Sequence, residues 1–480
     1  MTAIQSTPVL PKRVSTIVFE KNMNGVKYGY ISVPMNYQEL GGARVRVAFS
    51  VRPATGGAPG ARLGALLVIN GGPGGDNSLG IRMPDKVAAA SDLGYHYDII
   101  GMDFRGRGDS SKLTTRSLPS AASAVTRPTD AQFEQVAEQM SQRESLCAEY
   151  GGELRDHVTT MNVVRDIEAL RMALDEPQFS FVGMAYGSLV AAVYSTLYPD
   201  STGRVVLDSV INPTENWQER FSQQVRSIDI NVQDWANWCA SHDEEFKLGK
   251  TSDAVVRSIE VVAASTMLLP AGPQLVSVLD AMVGKMTSEE RSWPALVAFL
   301  QRLLRSAQHD DTSELVRMLS QTTSWRPSDV DAREQEAVLE AITSETPWTS
   351  DMEEYFIAMK TVRDTCPYGF AVMRVQPWVG TFRQSVPTER IPTLSWSGDE
   401  RPLIVQSQRD TLSREANGKV MADLLNGRLV RLVGTGVHEA FMFAGIHHLD
   451  DVVVTYLTSG ECPPLVVIDC RDSVGASDGR

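Results

Sequence analysis

The segment from Phe179 to Leu197 constrains this chain more than any other. Phe179-Ser180-Phe181-Val182 reads as a strand, Gly183-Met184-Ala185-Tyr186-Gly187 as a turn, and Ser188 to about Leu197 as an apolar helix. The strand runs into the helix with no linker, and glycine stands on both sides of the bend. A backbone that reverses so sharply brings neighbouring residues together where a side chain would collide. Neither strand nor helix shows a polar face, so both belong inside a sheet covered on each side.

Much of the chain repeats this logic. Strands are expected at 17–21, 28–34, 45–51, 64–70, 97–102, 205–208, 392–396 and 428–433, and several of them end in glycine-containing loops. Helical periodicity covers 130–147 and 161–174, and a final helix is expected at 446–457. This is an α/β pattern with a mostly parallel central sheet. Between 216 and 385 the pattern changes to successive helices at 216–230, 249–265, 273–282, 294–306, 313–320, 331–343 and 351–364. The expected division is a core of 1–215 and 386–480 carrying a helical lid at 216–385. Most of the lid tryptophans are expected to pack short helices, with one or two lining a pocket where lid meets core. The tail from Arg471 is expected to be loose.

A net charge of -14 leaves no basic footprint for nucleic acid or an anionic membrane. No apolar run reaches the roughly 18 residues that a membrane helix needs, and no export signal is expected from the N-terminal residues as read. The five cysteines are sparse, which suits reduced thiols in the cytoplasm, although Cys462 and Cys470 are close enough in sequence to pair. No spacing of Cys and His suggests a metal, and no cofactor is expected.

The turn at 183–187 has the form Gly-x-Ser-x-Gly with alanine at its centre. Such a turn presents a nucleophile, and acyl transfer further needs a base, an orienting carboxylate and amide donors for an oxyanion. His438 is the expected base, because it follows the last core strand in a glycine-rich loop and comes after the nucleophile and acid in chain order. The acid is Asp410, with Asp399 or Glu400 as alternatives after the strand expected at 392–396. The oxyanion donors are expected from the loop Gly71-Gly72-Pro73-Gly74-Gly75, Gly74 above all, and from the backbone amide of Tyr186. Arg105, in the loop 103–111, is expected to brace the core through a carboxylate.

Alanine has no proton to give up and forms no acyl-enzyme. Ser188 lies on the helix, and its hydroxyl is expected to face elsewhere. Two readings follow. In the first, a serine hydrolase is present in inactive form, its nucleophile position filled by Ala185. In the second, the pocket serves ligand binding, or His438 transfers protons in a nonhydrolytic reaction.

Five segments together carry a family resemblance: NGGPGG at 70–75, GMDFRGRGDSS at 101–111, GMAYGS at 183–188, RVVLD at 204–208 and HEAF at 438–441. With them the chain resembles the tripeptidyl aminopeptidase and proline iminopeptidase branch of the α/β-hydrolases, over roughly 20–215 and 390–465. The resemblance implies an α/β-hydrolase fold with a lid, and a serine peptidase acting on short peptides with free N-termini or on small amides and esters. It places the missing serine at Ala185, the base at His438, the acid at Asp410 and the oxyanion donors in the glycine loop and Tyr186. In that branch acidic lid groups can bind a substrate ammonium, and Asp243 to Glu245 or Glu353 and Glu354 could supply the charge, although the favoured reading of either cluster is an ordinary solvated acidic face. The chain departs from the pattern in its alanine, in the long segment 398–410 and in its N-terminus.

Overall fold

The computed structural model describes residues 15–58, 60–73, 80–113, 125–309, 311–320, 329–384, 387, 389–461 and 465–471. Ten strands among them form one sheet: β1 (Thr16–Met23), β2 (Val26–Pro34), β3 (Arg44–Arg52), β4 (Gly64–Ile69), β5 (Tyr97–Met102), β6 (Phe179–Met184), β7 (Thr202–Asp208), β8 (Leu403–Ser407), β9 (Arg428–Val433) and β10 (Val466–Asp469). Their order is β1-β2-β3-β5-β4-β6-β7-β8-β9-β10. The first three strands and the β3–β5 junction are antiparallel, and every pair from β5 onward is parallel.

Helices cover both faces. They are α1 (Met83–Ala90), α2 (Leu93–His96), α3 (Asp130–Asp156), α4 (Thr160–Ala173) and α5 (Tyr186–Leu197) before β7. Central β4 shows why the sheet is two-sided. Leu67 and Ile69 pack with α4 and α5 on one face, while Leu66 and Val68 pack with Met83 and Val87 of α1 on the other. Every residue of β6 is buried, as a central parallel strand requires.

Among the described residues, nine α-helices lie between β7 and β8: α6 (Trp217–Ser241), α7 (Asp243–Phe246), α8 (Ser252–Met267), α9 (Gly272–Thr287), α10 (Trp293–Gln308), α11 (Thr312–Ser320), α12 (Asp329–Thr343), α13 (Met352–Thr365) and α14 (Val379–Phe382). Helix α6 begins at a capping box, in which the Asn216 side chain accepts from Glu219 N and Glu219 accepts from Asn216 N; such a cap contributes about 1 kcal/mol. Trp235, Ile259, Val283 and Leu300 join four of these helices in a core of their own. The chain then returns through β8, α15 (Glu415–Leu425), β9, α16 (His447–Ser459) and β10.

Three details depart from the sequence pattern. Residues 392–396 are not a strand; they run beside α5, where Ser395 exchanges hydrogen bonds with Thr196, and the strand is β8 at 403–407. The run LIVQS is buried throughout, as a strand between two parallel neighbours needs, whereas the residues before it include a half-buried Trp396 between exposed Ser395 and Ser397. Helix α3 extends beyond 147 to Asp156 and packs on α12, α13 and α14. Thr126 and Arg127 just before it bind Asp280 of α9, so this stretch sits with the inserted helices. Finally, β10 adds an edge strand just before the tail.

Candidate active site

The bend after β6 places Ala185 at φ 49°, ψ -116°, a conformation that costs a non-glycine residue about 1–3 kcal/mol. The surroundings hold it there. Its N–H donates to Asp208 O at 2.9 Å, and its carbonyl accepts from Ser188 N at 3.0 Å and Ser188 Oγ at 2.6 Å. A Cβ on Gly183 would lie 2.5 Å from Gly187 O, and one on Gly187 would lie 2.5 Å from Ile69 O. Both glycines are therefore required by close approach of backbone. Ser188 is committed as well, since its hydroxyl donates to Ala185 and accepts from Ile211 N. It is a clamp on the turn and offers no substitute nucleophile.

His438 follows β9. Its Nδ1 lies 2.7 Å from Asp410 Oδ2. Asp410 follows β8, is 1% exposed, and its other oxygen accepts from Leu412 N and Ser413 N. Burial alone would lower the imidazole pKa, but the charge and hydrogen bond of Asp410, with Glu439 and Asp208 behind, push it up to about 9. The carboxylate thus holds Nδ1 and favours the protonated ring.

Both loops are steadied from outside. Asp208 and Ser209, at the end of β7, link the Ala185 turn to the His438 loop. Asp208 Oδ2 accepts from Phe441 N, Ser209 Oγ donates to Asp208 Oδ1, and Glu439 N donates to Ser209 Oγ. Burial pushes the Asp208 carboxyl up to about 6 against these donors. From the inserted helices, Glu289 accepts from the Thr435 hydroxyl and from Gly436 N. Arg409, next to Asp410, pairs with Glu290 and with Asp234 of α6.

The other expected site residues divide. Asp399 lies in the bend that enters β8, at the end of the strand away from Asp410, and Glu400 beside it pairs with Arg204 at 2.6 Å. The structure therefore sets both alternatives apart from His438, because the strand they were expected to follow lies after them. Tyr186 N is in the first turn of α5, where amides lack a helical acceptor, and Tyr186 lines the cavity described below. Gly74 lies outside the described residues. Of the same loop, Gly71 donates its N–H to Glu439 Oε1 at 3.0 Å, and Gly72 lines the cavity. A Cβ on Gly71 would lie 2.6 Å from the Ala185 Cβ and would strike Glu439 Oε1. The Glu439 carboxylate and the Ala185 methyl thus press on one glycine. Sequence reading gave Glu439 no role; its only signal is adjacency to the histidine. Arg105 braces the core as expected, through Asp166 at 2.6–2.7 Å, both side chains fully buried.

A cavity of about 610 Å³ opens over these groups. Gly72, Ala185, Tyr186 and His438 form its floor, and Trp217, Phe221, Met373 and Trp378 from the inserted segment give it apolar walls. Two tryptophans at this junction match expectation. The acidic residues that could have supplied a charge for an ammonium are not among its lining residues: Asp243 accepts from Gly249 N, and Glu353 and Glu354 donate their amides to the Asp351 cap of α13. The carboxylates on the wall are Glu215, Glu336 and Glu340.

This arrangement is a strand–turn–helix bend facing a histidine–carboxylate pair across one cavity. The alpha/beta hydrolase fold family matches residues 64–444. The chain belongs to that family. A tripeptidyl aminopeptidase of Streptomyces coelicolor is 34% identical over 237 residues, 47% of this chain and 43% of the relative, so this match spans less than half of that protein. The serine protease Hip1 of Mycobacterium tuberculosis is 23% identical over 92% of this chain and 86% of its own, and that organism's carboxylesterase B is 25% identical over 90% and 84%. Among solved structures, a proline iminopeptidase of Mycobacterium smegmatis covers 89% of this chain and 97% of its own at 14% identity, with a TM-score of 0.36. Among the described residues of this α/β-hydrolase, no helix is long and apolar enough to cross a membrane, and Cys147, Cys239, Cys366 and Cys470 are free and buried. Cys462 lies outside the described residues.

Proposed function

We propose that this α/β-hydrolase is of the peptidase type, binding short peptides or related small amides and esters in the cavity above Ala185, in a form that makes no acyl-enzyme. The observation that carries this reading is the His438–Asp410 contact of 2.7 Å on the same cavity as Ala185. The inserted helices act as the lid, and their apolar residues exclude water from the bound group.

With serine at 185, the chemistry is complete on paper. The serine oxygen attacks the carbonyl carbon while His438 Nε2 takes its proton. Asp410 holds the imidazole by Nδ1, and the amides of Tyr186 and the glycine loop receive the negative oxygen. His438 then hands the proton to the leaving amine or alcohol, and water repeats the sequence to free the acid. With alanine there is no attacking oxygen, and binding remains. The test is Ala185→Ser assayed on aminoacyl and tripeptidyl p-nitroanilides and p-nitrophenyl esters. A gain of at least about 10³-fold in kcat/KM is expected; no gain across the panel refutes the reading.

One observation favours a second reading, nonhydrolytic proton transfer. The carboxylate of Glu439, next in sequence to a histidine whose protonated form Asp410 favours, stands with the Ala185 methyl against Gly71. Such a pair holds a base and an acid together. Conversion of a substrate by the alanine form, lost in both Glu439→Gln and His438→Ala, would establish it in place of the first.

A further inference from the structure

The polar groups on the cavity wall are not all satisfied by the protein. Three arginines line it: Arg220, Arg374 and Arg414. Arg414 is paired with Glu215. Arg220 stacks on Trp217 at 4.5 Å and gives one hydrogen bond, from Nε to Asn212 O. Arg374 has neither ion pair nor hydrogen bond among the described residues. Burial pulls its guanidinium pKa below the ordinary value, and no neighbouring carboxylate offsets the pull.

Two neighbours share this condition. Gln376 is 4% exposed, and its Nε2 is buried without a hydrogen-bond partner among the described residues. Gln223 Oε1 is in the same state. Both residues line the cavity with Arg374. The positions are not accidental neighbours, because Arg374 closes the short 3-10 segment Tyr368–Arg374, which packs on α6, the helix that carries Gln223. Buried polar groups are almost always paired, and beside these two amides the half-buried guanidinium of Arg374 offers a charged donor with no protein partner among the described residues. A cluster left open in the wall of a substrate-sized cavity is the mark of a site completed by its ligand. The donors here are a planar guanidinium and an amide NH₂, which fit the two oxygens of a carboxylate.

We infer that the cavity takes a ligand bearing a carboxylate, seated on Arg374 and Gln376 at a distance from the reacting group, with Gln223 accepting from a donor on the same ligand. This deepens the proposed function and rests on its reading of the cavity as the substrate site. Among the described residues the unpaired charge on this wall is positive, which favours an anionic group there over an ammonium.

The test uses the full chain with Ala185, which allows equilibrium binding without turnover, followed by the fluorescence of cavity tryptophans Trp217 and Trp378. One arm compares 4-phenylbutyrate with 4-phenylbutyramide, which share a shape and lack a peptide bond. The other uses trialanine amide, a peptide with no carboxylate. The acid is expected to bind at least about tenfold tighter than its amide. Arg374→Gln should remove that preference while leaving the amide's affinity within about twofold, and Gln376→Leu should weaken the preference in part. Arg374→Gln is not expected to lower Tm, since it removes a half-buried charge with no protein partner among the described residues. Equal affinity for acid and amide, or a preference that survives both substitutions, overturns the carboxylate site. Should Arg374→Gln fail to fold, an undiminished preference in Gln376→Leu overturns it alone. Binding of the carboxylate without any binding of trialanine amide counts against the peptidase reading and leaves the subsite standing. Binding of the peptide with no acid preference does the reverse, and binding of neither removes both.

Discussion

Two turns face each other across the cavity, and they are built in different ways. The turn at Ala185 is a backbone object. Its shape comes from two glycines packed on neighbouring backbone, from the Asp208 carbonyl and from the Ser188 clamp, none of which involves the central side chain. The loop at His438 is a side-chain object. It is held by Asp410, Ser407, Ser209 and Glu289, and its function depends on one imidazole kept in one orientation. The difference teaches why replacing a serine by alanine at 185 leaves the turn's support in place. On the proposed reading, a single oxygen at 185 would restore the chemistry to the first turn, whereas the second has no such spare support.

The comparison can be broken at either end. The largest expected effect is on the side-chain loop. In the Ala185→Ser form, Asp410→Asn should lower kcat by about 10⁴-fold, because the imidazole loses the partner that fixes its tautomer; a loss below tenfold would show that another group orients His438. On the backbone turn, Gly187→Ala should cost about 1–3 kcal/mol in chemical denaturation, since the new Cβ meets Ile69 O at 2.5 Å. Unchanged stability there would mean that the turn is not fixed by packing. A smaller effect is expected from Glu289→Gln, which weakens the grip of the inserted helices on Thr435 and Gly436. It should lower kcat/KM of the serine form about tenfold without moving Tm by more than a few degrees.

The subtlest effect is in pH dependence. His438 is held above its ordinary value of 6.5, at about 9. The folded state binds this proton more tightly, so the stabilisation is fully present below about pH 6.5 and is lost as pH rises through about 9. Asp410→Asn should bring the NMR titration midpoint of His438 down toward or below 6.5 and flatten that part of the stability profile. In the serine form, kcat/KM should climb until about pH 9, because only the neutral ring accepts a proton.

The same contrast explains what the sequence disclosed. The Ala185 turn was legible because glycines, strand and helix are contiguous, and local sterics decide the outcome. The choice of Asp410 over Asp399 and Glu400 was not, because it hinges on which apolar run becomes β8. Pro392 to Trp396 has the look of a strand, yet only Leu403–Ser407 is buried on both sides, and that depends on β7 and β9 lying beside it. Glu439 and Asp208 were missed for a related reason. Their roles arise from where loops from distant parts of the chain meet, and neither residue type nor spacing announces that. Arg374 and Gln376 were invisible in sequence because what marks them is a lack of partners inside a fold.

The central claim is that a serine oxygen at 185 would lie within reach of the His438 imidazole. The direct measurement is labelling of the Ala185→Ser chain with a fluorophosphonate, read by mass spectrometry of the modified peptide. A stoichiometric adduct on residue 185, abolished by His438→Ala and absent from the alanine chain, is predicted. No adduct, or one that forms at the same rate without His438, would contradict the account.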